Sequence, residues 1–84
     1  MAITQRVKVG KWHNVYNRRK RLVGEWVVWA EMDREGRLTG NGFLYKGYTL
    51  DKNGEVEWDL TGDNGLYPTA IEASRAAIDN ILHP

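Results

Sequence analysis

The stretch LVGEWVVWAEM, residues 22–32, decides the fold of this 84-residue chain. It is rich in β-branched and aromatic residues, which suit a pleated surface, and it predicts the strongest strand. Alternate residues of a strand point to opposite faces. The predicted core face carries Trp26, Val28, Ala30 and Met32. The other face carries Glu25, Val27, Trp29 and Glu31. Trp29 is therefore expected to be partly exposed between two glutamates.

Two turn signals of the form Asp-x-x-Gly follow this strand, at residues 33–36 and 51–54. This form suits a type I turn closed by a glycine at positive φ, so each is expected to connect two antiparallel strands. The second strand would cover residues 38–50, bent or bulged by its glycines, and the third would cover residues 55–60. In the third strand Val56, Trp58 and Leu60 alternate with acidic residues, a half-buried pattern.

A capping box predicts a helix over residues 69–82. The hydroxyl of Thr69 can accept from the amide of Glu72, whose carboxylate can reach back. A loop with its turn at Asp63-Asn64-Gly65 is expected before the helix. The predicted apolar stripe, which would pack on the Trp26 and Trp58 face, consists of Ile71, Ala77 or Ile78, Ile81 and Leu82.

The predicted fold class is therefore α+β, an antiparallel β-meander of three to four strands packed on one C-terminal α-helix. A chain of this length has room for one core, so residues 1–84 are predicted to form a single domain. Its parts would be a basic N-terminal strand or arm (1–21), the meander (22–60) and the helix (69–82). Gly10 is expected to mark a bend in the N-terminal segment, and residues 17–21 a polar connector.

Enzyme chemistry has few candidate residues here. The chain has no cysteine, one serine (Ser74) on the predicted helix, and two histidines, His13 and His83, near opposite ends. The acidic stretch 51–59 lacks the glycine and glutamate spacing of a calcium loop, and Gly40-Asn41-Gly42 lacks the helix and lysine of a phosphate loop. We therefore predict no enzyme activity, no metal and no cofactor.

The N-terminus lacks an apolar signal region, and no apolar run approaches the roughly 20 residues of a membrane span. A cytoplasmic location and no membrane partner are therefore expected.

Charge is distributed unevenly along the chain. Residues 1–24 carry seven bases and no acid, a net charge of +7, while residues 25–84 carry the other five of the twelve bases and all eleven acids, a net charge of −6. Cations that pair with phosphates and rings that stack on bases are what nucleic-acid binding needs. The predicted nucleic-acid-binding residues are Lys8, Lys11, Trp12, Tyr16, Arg18, Arg19, Lys20 and Arg21.

The alternative is a protein-protein interaction module, or a small inhibitor of the phage or mobile-element type such as an anti-defence protein. It would act through the acidic, Trp-bearing sheet face, because an exposed tryptophan among charges is typical of interface hot spots. Its partner could be a nucleic-acid-handling protein. The residues of this alternative are Glu25, Trp29, Glu31 and Glu57. A free edge strand also allows a homodimer.

Two stretches of the chain, residues 15–26 and 65–76, match a known pattern. Val15-Tyr16, Arg18 and Gly24-Glu25-Trp26, with the run from Gly65 to Ala76 around Thr69 and Glu72, resemble the AP2/integrase-type DNA-binding domain. The resemblance covers about a third of the chain and implies a three-stranded sheet backed by one helix, with DNA bound by the exposed sheet face. Arg18 matches a basic position of that family, whereas the hairpin at residues 51–54 is a departure from it.

Overall fold

The computed structural model describes residues 3–61 and 66–84, so the turn predicted at Asp63-Asn64-Gly65 lies outside the described residues. The elements follow in the order β1 (Thr4–Lys8), β2 (His13–Tyr16), β3 (Leu22–Asp33), β4 (Leu38–Leu50), β5 (Val56–Thr61) and α1 (Ala70–Leu82). All strand pairs are antiparallel, in the order β1-β3-β4-β5, and β2 also pairs with β3. The predicted α+β fold is confirmed.

The N-terminal segment forms two strands along the same edge of β3. Lys8 lies opposite Trp29 and His13 lies opposite Trp26, so four residues of the N-terminal segment face only two of β3. The chain bends at Gly10, as the sequence predicts, and the N–H of Val9 still donates to the carbonyl of Val28 at 3.0 Å. The segment is therefore a bulged edge of the sheet.

The core lies between the sheet and α1, on the predicted face of β3. Trp26, Val28 and Ala30 are buried, while Met32 is half-buried. The core cluster contains Val15, Trp26, Val28, Tyr45, Ala73, Ala77 and Ile81. The helix begins as predicted, with the Thr69 hydroxyl accepting from the amide of Glu72 at 3.1 Å.

The predicted helix stripe is wrong in part. The helix buries Ala73, Ala77 and Ile81, and leaves Ile71 exposed. Ile78 and Leu82 are likewise exposed, and among the predicted stripe residues only Ala77 and Ile81 are buried. Small side chains face the sheet because the helix lies close to it.

Trp58 is not a core residue, although the alternation in the third strand predicts that it faces the core. Trp58 is 57% exposed because α1 packs mainly on β3 and β4, whereas β5 lies at the edge of the sheet.

Candidate functional site

The basic segment at residues 17–21 is a tight hairpin turn between β2 and β3. The side-chain Oδ1 of Asn17 accepts from the backbone N–H groups of Arg19 at 2.9 Å and Arg21 at 3.0 Å. The N–H of Lys20 donates to the carbonyl of Asn17 at 2.9 Å. An asparagine at the first position commonly holds a turn in this way. The predicted connector is thus an ordered turn that carries four consecutive exposed cations, Arg18–Arg21.

The other two hairpins have the same hydrogen-bond pattern. In the β3–β4 and β4–β5 hairpins the Oδ1 atoms of Asp33 and Asp51 each accept from the backbone N–H groups two and four residues ahead, at 2.8 to 3.0 Å. The carbonyl of each aspartate also accepts from the glycine three residues ahead, Gly36 or Gly54, at 3.0 Å. The chain therefore builds one kind of turn three times.

The three turns differ at their fourth residue. Gly36 and Gly54 have φ angles of +80° and +81°, and Lys20 occupies the matching place at φ +61°. For a residue with a Cβ atom this left-handed region is unfavourable by on the order of 1 kcal/mol or more, whereas glycine adopts it at little cost in free energy. Among the described residues, Lys20 is the only one other than glycine with a positive φ angle. The basic turn therefore carries a cation where the backbone favours glycine.

Tyr16 lies at the base of this turn and is 55% exposed. It lines an open cleft of about 470 Å³ together with Asn17, Arg18 and the end of the helix at Leu82 and His83. The carbonyl end of a helix carries partial negative charge, which favours nearby cations. One aromatic ring, the basic turn and the helix C-terminus thus share one end of the molecule.

A second cleft of about 580 Å³ lies on the sheet face that α1 does not cover. Its lining residues are Lys8, Trp12, Trp29, Lys46, Gly47, Tyr48 and Asp59. The Nζ atom of Lys46 lies 3.8 Å from the centroid of the Trp29 ring, a cation–π contact. The rings of Trp12 and Tyr48 lie 5.7 Å apart between centroids at an angle of 48°.

Strand register explains why these side chains meet. Residues directly opposite one another in an antiparallel pair share a face. Lys8 on β1 and Leu44 on β4 both lie opposite Trp29, and Lys46 lies opposite Val27. Val27 is fully buried and Leu44 is 1% exposed, so the helix-free face also buries two apolar side chains.

The structure places the predicted nucleic-acid-binding residues in two groups. Lys8 and Trp12 line the cleft on the helix-free face, and Lys11 is exposed in the bulge beside them. The remaining five, at the other end of β2, are Tyr16, Arg18, Arg19, Lys20 and Arg21.

The cleft also contains residues that sequence reasoning missed. Lys46 and Tyr48 belong to β4 and alternate there with residues of the core face. The signal in the sequence is the alternation of Leu44, Lys46 and Tyr48, which indicates that they share one face of β4. Only the register between β3 and β4 shows that this face is the one that carries Trp29.

Three residues of the acidic alternative, Glu25, Trp29 and Glu31, lie on the helix-free face of β3, whereas Glu57 lies apart from them. Trp29 lies beneath Lys46, and the carboxylate of Glu31 accepts from the side-chain amide of Asn41 at 2.6 Å. Glu57 is the extra residue of a bulge in β5, since the register passes from Trp58 opposite Thr49 directly to Val56 opposite Leu50. Glu57 lines a separate groove beside the end of α1, and Glu25 remains half-buried on the helix-free face.

Comparison of the chain with protein-family models, curated proteins and solved structures found no match. In the part of the chain that the structure describes, no helix has the length and apolar character that crossing a membrane requires. No cluster of three or more histidine, aspartate or glutamate side chains suited to holding a metal ion occurs among residues 3–61 and 66–84.

Proposed function

We propose that this chain is a small, non-enzymatic nucleic-acid-binding module that contacts phosphates through the basic turn Arg18–Arg21. The observation that carries the proposal is Lys20 at φ +61° in a turn whose two counterparts use glycine. Folding alone favours glycine at this place. A lysine there maintains an unbroken run of four cations at the tip of the hairpin.

The backbone of this turn is fixed before any ligand arrives. Two hydrogen bonds to Asn17 Oδ1 hold the N–H groups of Arg19 and Arg21. The long side chains project from this fixed base into solvent, where they can reach phosphate oxygens. A preorganised turn reduces the entropy that binding must overcome.

The charges on the two edges of the sheet also favour binding of a polyanion on the side of the basic turn. Lys8 and Lys11 lie on or beside the β1 edge, which extends the basic region along one side of the sheet. The opposite edge is β5, whose residues include Glu57 and Asp59. A polyanion would therefore be drawn toward the N-terminal edge.

The experiment compares binding of fluorescent DNA and RNA oligonucleotides at about 50 and 200 mM salt, the range in which phosphate contacts are visible. The test variant is Arg18→Ala with Arg19→Ala. The matched control is Arg34→Ala with Lys52→Ala, because both residues occupy the position of Arg18 in the other two turns and the pair also removes two exposed charges.

We expect the test variant to bind more weakly and to lose up to about 0.9 from the salt slope for each phosphate contact removed. The control is expected to bind as the wild type does. The proposal fails if the wild type binds no oligonucleotide at either salt concentration, or if both variants bind equally well. Absence of oligonucleotide binding by the wild type would favour a protein partner, and the same variants would then be compared for binding to it.

A further inference from the structure

We infer that the cleft on the helix-free sheet face stacks unpaired bases, so the nucleic acid that this module binds is single-stranded. The inference rests on the proposed function and assigns a ligand form to it. Its starting point is that Lys8, Trp12, Trp29, Lys46 and Tyr48 converge on one surface.

An exposed ring is available for stacking at the mouth of the cleft. Trp12 is 45% exposed although it contacts Tyr48, so a large part of its indole remains accessible to a ligand. Sheet faces that bind single strands use such rings, because every base has a flat π face. Trp12 sits in the bulged segment between β1 and β2, which turns it toward β4 rather than toward its neighbours on the edge.

A second ring lies deeper in the cleft under a cation. The ammonium group of Lys46 covers the Trp29 ring at 3.8 Å, and Lys8 lies opposite Trp29 on β1. When a base takes the place of the ammonium group on the ring, the lysine is released to pair with the neighbouring phosphate. In this arrangement the Trp29 ring stacks on the base of a nucleotide, and the Lys46 ammonium group pairs with its phosphate.

The indole N–H of Trp29 is an independent indication of a ligand. Its Nε1 atom is buried and has no hydrogen-bond partner among the described residues. Buried indole N–H groups usually have a partner, and an exception requires an explanation. A ligand that displaces the Lys46 ammonium group from the ring would bring an acceptor, such as a base carbonyl, to this atom.

The dimensions and charge of the cleft also favour a base over bare phosphate. Its volume of about 580 Å³ lies within the usual range of small-molecule sites. The apolar part of its lining consists mainly of the rings of Trp12, Trp29 and Tyr48. Lys8 and Lys46 with Asp59 give its lining a formal charge of only +1, and a carboxylate such as Asp59 accepts hydrogen bonds from base amino groups. In a duplex the base faces are already stacked and cannot enter.

The test measures the affinity of the full chain for a fluorescent single-stranded oligonucleotide and for its duplex. We expect the wild type to prefer the single strand by about tenfold or more, the scale of one stacked base. Trp12→Ala should reduce single-strand affinity about tenfold and leave duplex affinity unchanged, while Trp12→Phe should retain most of it. Trp58→Ala is the matched control, because Trp58 is exposed to a similar degree on the other face.

The outcomes separate this inference from the proposed function. If the Arg18→Ala and Arg19→Ala variant loses affinity while Trp12→Ala binds single strands normally, the cleft inference is overturned and the proposed function stands. Equal wild-type affinity for single strand and duplex also overturns the inference. If the wild type binds neither form, both ideas are overturned. Circular dichroism and thermal unfolding confirm that each variant is folded.

Discussion

Lys20 stands at φ +61° in the β2–β3 turn at the place that Gly36, at φ +80°, occupies in the β3–β4 turn. The hydrogen bonds that hold the backbone are the same in both turns, so the difference at this position lies in the side chain. A position where the folded backbone favours glycine and the sequence has lysine points to a use for the charge.

The first prediction follows from this pair. Lys20→Gly should raise the free energy of unfolding by about 1 kcal/mol, because glycine adopts the left-handed region without a Cβ clash. The midpoint of thermal unfolding should rise by about 4–8 °C in a domain of this size. The same variant should bind nucleic acid more weakly. Calorimetry and oligonucleotide titration measure the two effects.

The reverse substitution serves as the control. Gly36→Lys places a lysine in the matching turn and should lower stability by about the same amount without affecting binding. If Lys20→Gly leaves stability unchanged or lowers it, the turn does not store the strain that we assign to it.

The sequence predicts this fold well where one rule acts alone. The alternation in residues 22–32 correctly places Trp26 and Val28 in the core, because a strand with one buried face has little freedom of register. Thr69 correctly marks the start of the helix, since an N-cap is a local interaction between near neighbours in sequence.

Other features were missed because they depend on distant parts of the chain or lack the usual local signal. The helix faces the sheet with Ala73 and Ala77, although Ile71 is more hydrophobic, because the distance between helix and sheet selects small side chains. The turn at Asn17 lacks the glycine that marks the other two. The cleft requires the pairing of Lys46 and Tyr48 with β3, which no local pattern provides.

Gly24 provides a prediction about the close approach of the helix. A Cβ atom there would lie 2.5 Å from the carbonyl oxygen of Tyr48 and 2.6 Å from Cγ2 of Ile81. Because a backbone atom cannot move aside easily, Gly24→Ala should destabilise the fold by about 2–3 kcal/mol. Urea unfolding measures this loss.

Gly10→Ala is the control for Gly24→Ala. A Cβ atom at Gly10 would meet nothing within 4 Å, so this variant should change stability by less than about 0.5 kcal/mol. Similar losses for the two glycine variants would contradict the close approach of Ile81 to β3.

Tyr45 connects the sheet to the helix through a hydrogen bond. Its hydroxyl oxygen accepts from the side-chain amide of Asn80, and the ring is almost completely buried. Tyr45→Phe leaves the half-buried amide without this partner and should cost about 1–2 kcal/mol in unfolding free energy. In Tyr16→Phe the lost hydroxyl is exposed, so a change within about 0.5 kcal/mol is expected there. Equal effects of the two substitutions would contradict a stabilising role for the Asn80 hydrogen bond.

The turn at Asp33 gives stability a dependence on pH. The backbone N–H of Arg37 donates to the Asp33 carboxylate, and this bond, with that of the Glu35 N–H and the nearby Arg37 guanidinium, holds the pKa of Asp33 below its ordinary value of 3.8. A carboxyl group whose pKa is lower in the folded state stabilises the fold above the unfolded pKa. That contribution disappears as the pH falls through the folded pKa.

Asp33→Asn removes the titration while preserving the turn, because Asn17 already holds the same turn with an amide oxygen. We expect the wild type to lose more stability than Asp33→Asn between about pH 6 and pH 2, and the two stability curves to converge at the acidic end. Denaturant unfolding at a series of pH values measures both curves. Curves separated by a constant offset at every pH would show that the carboxylate charge of Asp33 does not contribute, since a geometric defect in the turn would not titrate.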